Sequence, residues 1–240
     1  MKMKWSLLVG VVGLGLMTAC NGADDSTSGT TVGGDNMFVP PTMPDSVYGQ
    51  LKPGDIIIRK GNGPLSAHIM INTKEEYSHC GIIVKEGDEW KVIHTIGGTA
   101  SEDATDGVQL IDLKDFVGHG ADSMVFICRP IFADSLDIKI PERAYHYLEL
   151  AVPFDHRFSL FTPEKLYCSE LLFYIFKEVN GGENVFEVKK KHNSYMLMFS
   201  TFFDQEKFAP IFHLRDANRG IFKQMVQPTV IDSTIVKDSL

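Results

Sequence analysis

Several things are scarce in this chain of 240 residues, and each scarcity removes a class of function. Basic clusters are missing: the net charge is −8, and beyond "KKK" at 189–191, expected to be a solvated loop, lysine and arginine are scattered. A nucleic-acid binder needs a basic face, so no nucleic acid is expected as a partner. Close Cys-x-x-Cys and His-x-x-x-His pairs are missing too. Such spacings anchor most zinc sites, and without them a zinc centre built from His79, His94 and Cys168 has no local pair to start from. Neither a metal nor a cofactor is expected. There is no internal repeat, and the length fits one ordinary domain with a sizeable core. The longest apolar stretch, "WSLLVGVVGLGLM" at 5–17, is too short to rely on as a membrane span.

What is present begins with an address. "MKMK", that apolar stretch and "TAC" read as a secretion signal over residues 1–19. Its end, "LMTAC", resembles the lipobox of bacterial lipoproteins, which implies a lipid on Cys20 as the new amino terminus. The following "NGADDSTSGTTVGGDN" has almost nothing to bury and is expected to be a flexible tether over 20–46, its acidic pair Asp24 and Asp25 a solvated part of it. The protein is therefore expected in the bacterial cell envelope, held to a membrane through Cys20. A folded domain over 47–227 and a tail over 228–240 complete the chain. Three cysteines remain in the domain, Cys80, Cys128 and Cys168, and outside the cytoplasm an odd number leaves at least one unpaired.

Within the domain, "LKPGDIIIRKG" pairs a Pro-Gly turn with a continuous β-branched run, the pattern of a buried strand. "SAHIMINTK" is a short helix or a loop. "HCGIIVKEGDEWKVIHTI" reads as a β-hairpin, "GGTASEDATDG" as a loop, "VQLIDLKDF" as a strand and turn, and "SMVFICRP" as a strand ended by Pro130. Helices are expected in "IPERAYHYLELA", with Pro141 in the first turn and Ala144, Tyr147, Leu148 and Ala151 on one side. Another runs from about Leu166 or Tyr167, with Leu171, Leu172, Ile175, Phe176 and Val179 as its stripe and Gly181 as its C-cap. "SYMLMFSTFF" is expected to be a third, weaker helix.

Cys168 thus falls in the first turn of a helix, where free backbone N–H groups and the macrodipole favour a thiolate. A buried packing thiol is the competing reading. A nucleophile needs a base, and the hairpin brings His79 and His94 to one face of the sheet. Alternation sends Cys80 to the other face, as a core thiol, and Cys128 reads likewise.

"LKPGDIIIRKGNGPLSAHI", "YSHCGIIV", "KVIHTI", "AVPFDHRF" and "LYCSELLF", spanning roughly 51–180, resemble the circularly permuted papain-like cysteine amidases, the YiiX-like branch of the NlpC superfamily. The cysteine here follows the histidine by about ninety residues, the inversion that permutation implies. The resemblance implies an α+β, permuted papain-like fold, with an antiparallel sheet or barrel packed against helices. It implies Cys168 as nucleophile, His79 as general base and His94 as the residue orienting His79, where many members carry glutamate. Asp55 and Glu170 match family positions, though they read first as a turn aspartate after Pro-Gly and an acid in the first helical turn. Tyr77 is a candidate second oxyanion donor beside the Cys168 N–H, or a strand-edge tyrosine. "PFDHRF" reads as a tight turn capped by Asp155.

The expected function is a lipid-anchored cysteine hydrolase acting on a small peptide-like or peptidoglycan-derived amide. An acyltransferase or lipid esterase on the same fold, and an inactive binding module, are the alternatives.

Overall fold

The run "IIIR" becomes β1 (Ile56–Arg59), and every residue of it is buried. A strand covered on both faces must be apolar on both, which is why the run is continuous rather than alternating. In the computed structural model, described for residues 42–97, 106–121, 124–191, 194–215 and 222–223, β1 lies at the centre of an antiparallel sheet. The secretion signal, Cys20, most of the tether, most of "GGTASEDATDG" and the 228–240 tail lie outside the described residues.

The strands β2 (His79–Glu86) and β3 (Glu89–Ile96) form the expected hairpin, Glu86 facing Glu89 across a two-residue turn at Gly87 and Asp88. With β4 (Gly107–Asp112), β5 (Val125–Pro130), β8 (Phe208–Leu214) and β9 (Phe222–Lys223), the sheet order is β4-β3-β2-β1-β5-β8-β9. A separate pair joins β6 (Val188–Lys191) to β7 (Ser194–Leu197).

One face presents Ile56, Ile58, Cys80, Ile82, Val84, Ile93 and Cys128 to α4 (Leu136–Glu149) and α5 (Cys168–Val179). The other presents Ile57, Ile83, Val92, Val125 and Ile127 to α1 (Asp45–Tyr48) and α3 (Leu113–Gly118). Core packing already includes Met43, inside the stretch expected as tether. This α+β architecture, an antiparallel sheet between helices, is the one expected.

Several local expectations are resolved or change. "SAHIMINTK" resolves as α2 (Pro64–Thr73), and "LKDF" after β4 is a short helix rather than a turn. α4 begins five residues before Pro141, so the proline sits inside it; its ring lies against Gly54, where a Cβ would come within 3.4 Å of Pro141 Cδ and 3.1 Å of the Leu136 carbonyl. Ala151 has φ 48 and lies beyond the helix. The expected third helix is strand β7 followed by a 3-10 helix at Phe199–Phe203, and the lysine triplet is β6, paired with it. α5 behaves as read: Gly181 takes φ 66 just past the end, and Gly182 N–H donates to the Lys177 carbonyl at 2.7 Å, closing the helix.

Candidate active site

Cys168 is the first residue of α5, preceded by Tyr167 in an extended conformation that caps with no side chain. The first-turn N–H groups therefore stay available. The segment before it is tied down: the Thr95 hydroxyl of β3 donates to the Leu166 carbonyl at 3.0 Å, and Leu166 N–H to Pro153 at 2.9 Å. These bonds seat the helix start against β2, where Cys168 Sγ lies 3.9 Å from the Ser78 carbonyl oxygen. The Cys80 thiol, above all, lowers the Cys168 pKa by donating to it; N–H groups of Cys80, Ser169 and Cys168 itself add to this and outweigh burial. Burial raises the other two thiols, Cys80 and Cys128, well above the ordinary value.

The two histidines meet as the hairpin requires. His79 Nε2 and His94 Nδ1 are 2.9 Å apart, both rings are buried, and both sit on Phe116 of α3, with centroids 5.4 Å from it. Gly81 makes this approach possible, because a Cβ there would lie 2.4 Å from Val92 Cγ1 and 3.2 Å from His94 Cβ. Burial, then the Arg59 guanidinium, then His94 and His119 push His79 well below the ordinary imidazole value. His94 is pushed down to about 3 by burial, with Arg59 and His119 adding to it. Both rings are therefore neutral at pH 7. Their face is the α3 side of the sheet, whereas Cys168 approaches from the α5 side. Among the described residues Cys168 bonds to Ser78 and His79 to His94, with no hydrogen bond between Cys168 and His79.

This arrangement, a cysteine opening a helix that abuts a strand whose first residue is a histidine bonded to a second polar ring, coincides with a family match. Residues 50–206 match the model of the permuted papain-like amidase enzyme, YaeF/YiiX, C92 family. The chain belongs to this family. The family is described as one of amidases. "Uncharacterized protein YiiX" of Escherichia coli (strain K12) is 26% identical over 134 residues, covering 55% of this chain and 60% of that protein, so the match spans well short of the relative's full length. A crystal structure described as metalloprotein yiiX from Escherichia coli O157:H7 aligns with a TM-score of 0.57 at 21% identity, over 69% of this chain and 99% of that one, which supports the fold.

The word metalloprotein invites a test of the donors here. Among the described residues no three His, Cys, Asp or Glu side chains converge as a metal site would require. His79 and His94 spend facing nitrogens on each other, and the Cys168 sulfur lies on Ser78. Among the described residues, this set does not fit a metal.

The remaining sequence candidates are placed elsewhere. Asp55, at the far end of β1 from Arg59, takes both Arg129 nitrogens at 2.8 and 2.9 Å and the Lys52 N–H at 2.7 Å, pinning the Pro-Gly turn to β5. It is scaffold. Glu170 accepts the Phe161 and Thr162 N–H groups through Oε1, tying the preceding loop to α5, and burial raises its pKa to about 8. The Tyr77 hydroxyl meets His213 Nε2 at 2.9 Å. Asp155 accepts the Arg157 and Ser159 N–H groups, capping the turn as expected.

Arg59 is the site residue that sequence reasoning missed. It is buried, opposite His79 in register, with its guanidinium 4.6 Å from the Phe116 centroid, one nitrogen on the Phe116 carbonyl at 3.0 Å, and Nε without a partner among the described residues. Burial lowers its pKa to about 10. The available signal was a cation closing an otherwise apolar buried run.

Proposed function

We propose that this chain is an extracytoplasmic cysteine amidase in which Cys168 is the nucleophile, His79 the general base and His94 the residue that orients it. The observation carrying this reading is the 2.9 Å contact of His79 Nε2 with His94 Nδ1, made by the residue that follows Ser78, on whose carbonyl the Cys168 thiol rests. With Nε2 engaged, Nδ1 of His79 is the nitrogen left to take the thiol proton. The thiol leaves the Ser78 carbonyl for His79 as substrate arrives, in keeping with catalytic hydrogen bonds that tighten only in the complex. Cys168 attacks the amide carbonyl, the Cys168 N–H at the helix start receives the oxyanion, the amine departs with the proton from His79, and water releases the acyl group. A neutral His94 fixes the ring of His79 but supports an imidazolium less than a carboxylate does.

The substrate class is a small peptide-like or peptidoglycan-derived amide, met in the cell envelope by a protein anchored through a lipid on Cys20. A second reading, lipid esterase or acyltransferase, is favoured by one feature, a cavity of about 330 Å³ lined by Phe126, Phe202, Phe203 and Phe208 next to His213, the partner of Tyr77. Incubating the protein and Cys168→Ala with peptidoglycan fragments and acyl esters, with products followed by mass spectrometry, separates the two. Amide products that vanish in Cys168→Ala support the first, ester products alone the second, and no product from either set leaves the fold as a binding module. Loss of membrane partitioning in Cys20→Ser tests the anchor.

A further inference from the structure

Cys80 is a buried thiol at the site for which amide hydrolysis has no use. The alternation of β2 points it away from His79, and the face it joins is the one α5 covers, so it packs in one apolar cluster with Cys168, Leu171 and Leu172. Cys168 Sγ rests 3.9 Å from the carbonyl of Ser78, two residues before Cys80, and the Cys80 thiol and N–H are among the groups that hold the Cys168 thiol below its ordinary pKa. Neither cysteine is bridged. Cys128 faces the same way but stands opposite Ile56 on β5, with β1 between it and β2 and two residues out of register with Cys80, roughly 12 Å from it at ordinary strand spacing. Among the described residues, Cys80 and Cys168 are the two thiols that meet where the start of α5 abuts β2.

We infer that Cys80 and Cys168 form a two-thiol modification site that closes to an intramolecular disulfide when a hydroperoxide oxidises Cys168, protecting and silencing the nucleophile together. This rests on the reading of Cys168 as the reactive thiol. The Cys168 thiolate attacks the O–O bond of the hydroperoxide and takes one oxygen, becoming a sulfenic acid, while the peroxide is reduced and leaves as an alcohol or water. The Cys80 sulfur then displaces that hydroxyl, its proton leaving with it as water, and the S–S bond forms. One hydroperoxide is consumed, and two thiols become one disulfide. With Cys80 adjacent, condensation outruns the second oxidation that would give an irreversible sulfinic acid.

The test treats the full chain with hydrogen peroxide at a few equivalents, then denatures it, alkylates the remaining thiols and maps the peptides. A cross-linked Cys80–Cys168 peptide that thiol reductant abolishes is expected, with Cys128 still reduced. In Cys80→Ser, Cys168 should instead gain two or three oxygens and stay modified after reduction. Cys168 carrying added oxygen in the unmodified sequence, with no cross-linked peptide, overturns the proposal. Because the decisive arm uses the unmodified sequence, folding of the variant does not decide it. Hydrolysis, where present, should fall on the order of tenfold or more on oxidation and return with reductant. A cross-link formed in a protein that hydrolyses nothing would sink the amidase reading and leave the two-thiol site standing.

Discussion

At the scale of single residues, the site is a set of neutral imidazoles beside a buried cation. Arg59 and His119 both hold His79 and His94 toward the neutral form. The Cys168 thiolate favours the charged form of Arg59, against the effect of burial. His79 is thus unprotonated well below the pH at which a free imidazole loses its proton. The acid limb of the pH–rate profile should therefore lie below about 6.5, the ordinary histidine value. A limb at or above that value would mean that His79 is not the base. Loss of the base in His79→Ala should slow acylation on the order of 10²-fold or more. His94→Ala should cost less, since it acts through His79, and His94→Glu should recover part of that loss by supporting the imidazolium. Acylation rates of the three variants, each first checked for folding by thermal unfolding, give the order; His94→Glu no better than His94→Ala would remove the orienting role.

Among the elements, the hairpin and α5 do the positioning. The β2–β3 ladder runs from Ile82 and Ile93 outward to the turn, and Gly81 sits just before it, with the His94 Cβ against it. Gly81→Ala should therefore push β3 away, cost about 1–3 kcal/mol by overpacking, and separate the two imidazoles. Denaturant unfolding measures the first effect, and loss of turnover in the fraction still folded measures the second. These elements were legible because their patterns are strong: a doubly buried run in β1, alternation in β2 and β3, a helical stripe closed by glycine in α5. The β6–β7 pair was not. Its strands carry lysines on one side and a mixed "SYML" on the other, and with four residues each their burial period cannot be told from a helical turn. The early start of α4 was hidden by Pro141, which reads as a first-turn residue but is held deeper in the helix against Gly54. The pair His79 and His94 was legible from the hairpin. Arg59 was not, because a strand-end arginine ordinarily reaches solvent, and its burial depends on Phe116 arriving from a helix after β4.

For the whole molecule, the buried titratable groups set opposite slopes of stability with pH. In the unfolded chain His79 and His94 take up protons near pH 6.5, while the fold keeps them neutral. Below that pH the unfolded state holds more protons, so acidification destabilises, by up to about 1.4 kcal/mol per pH unit for each ring. Glu170 works the other way: its folded pKa of about 8 lies above the ordinary 4.5, so stability falls as pH rises between those values. Unfolding temperature should peak near pH 6.5 and decline on both sides, and Glu170→Gln, which keeps an acceptor for Phe161 and Thr162, should flatten the alkaline decline. A profile flat down to pH 4.5 would contradict the buried neutral histidines. The central claim, that Cys168 alone of the domain's cysteines is poised to react, is tested most directly without any substrate. Brief alkylation of the folded protein at neutral pH, followed by peptide mapping, should label Cys168 on the order of tenfold or more faster than Cys80 or Cys128. Labelling of Cys168 at the rate of the other two, or slower, would make it a packing residue and contradict the account.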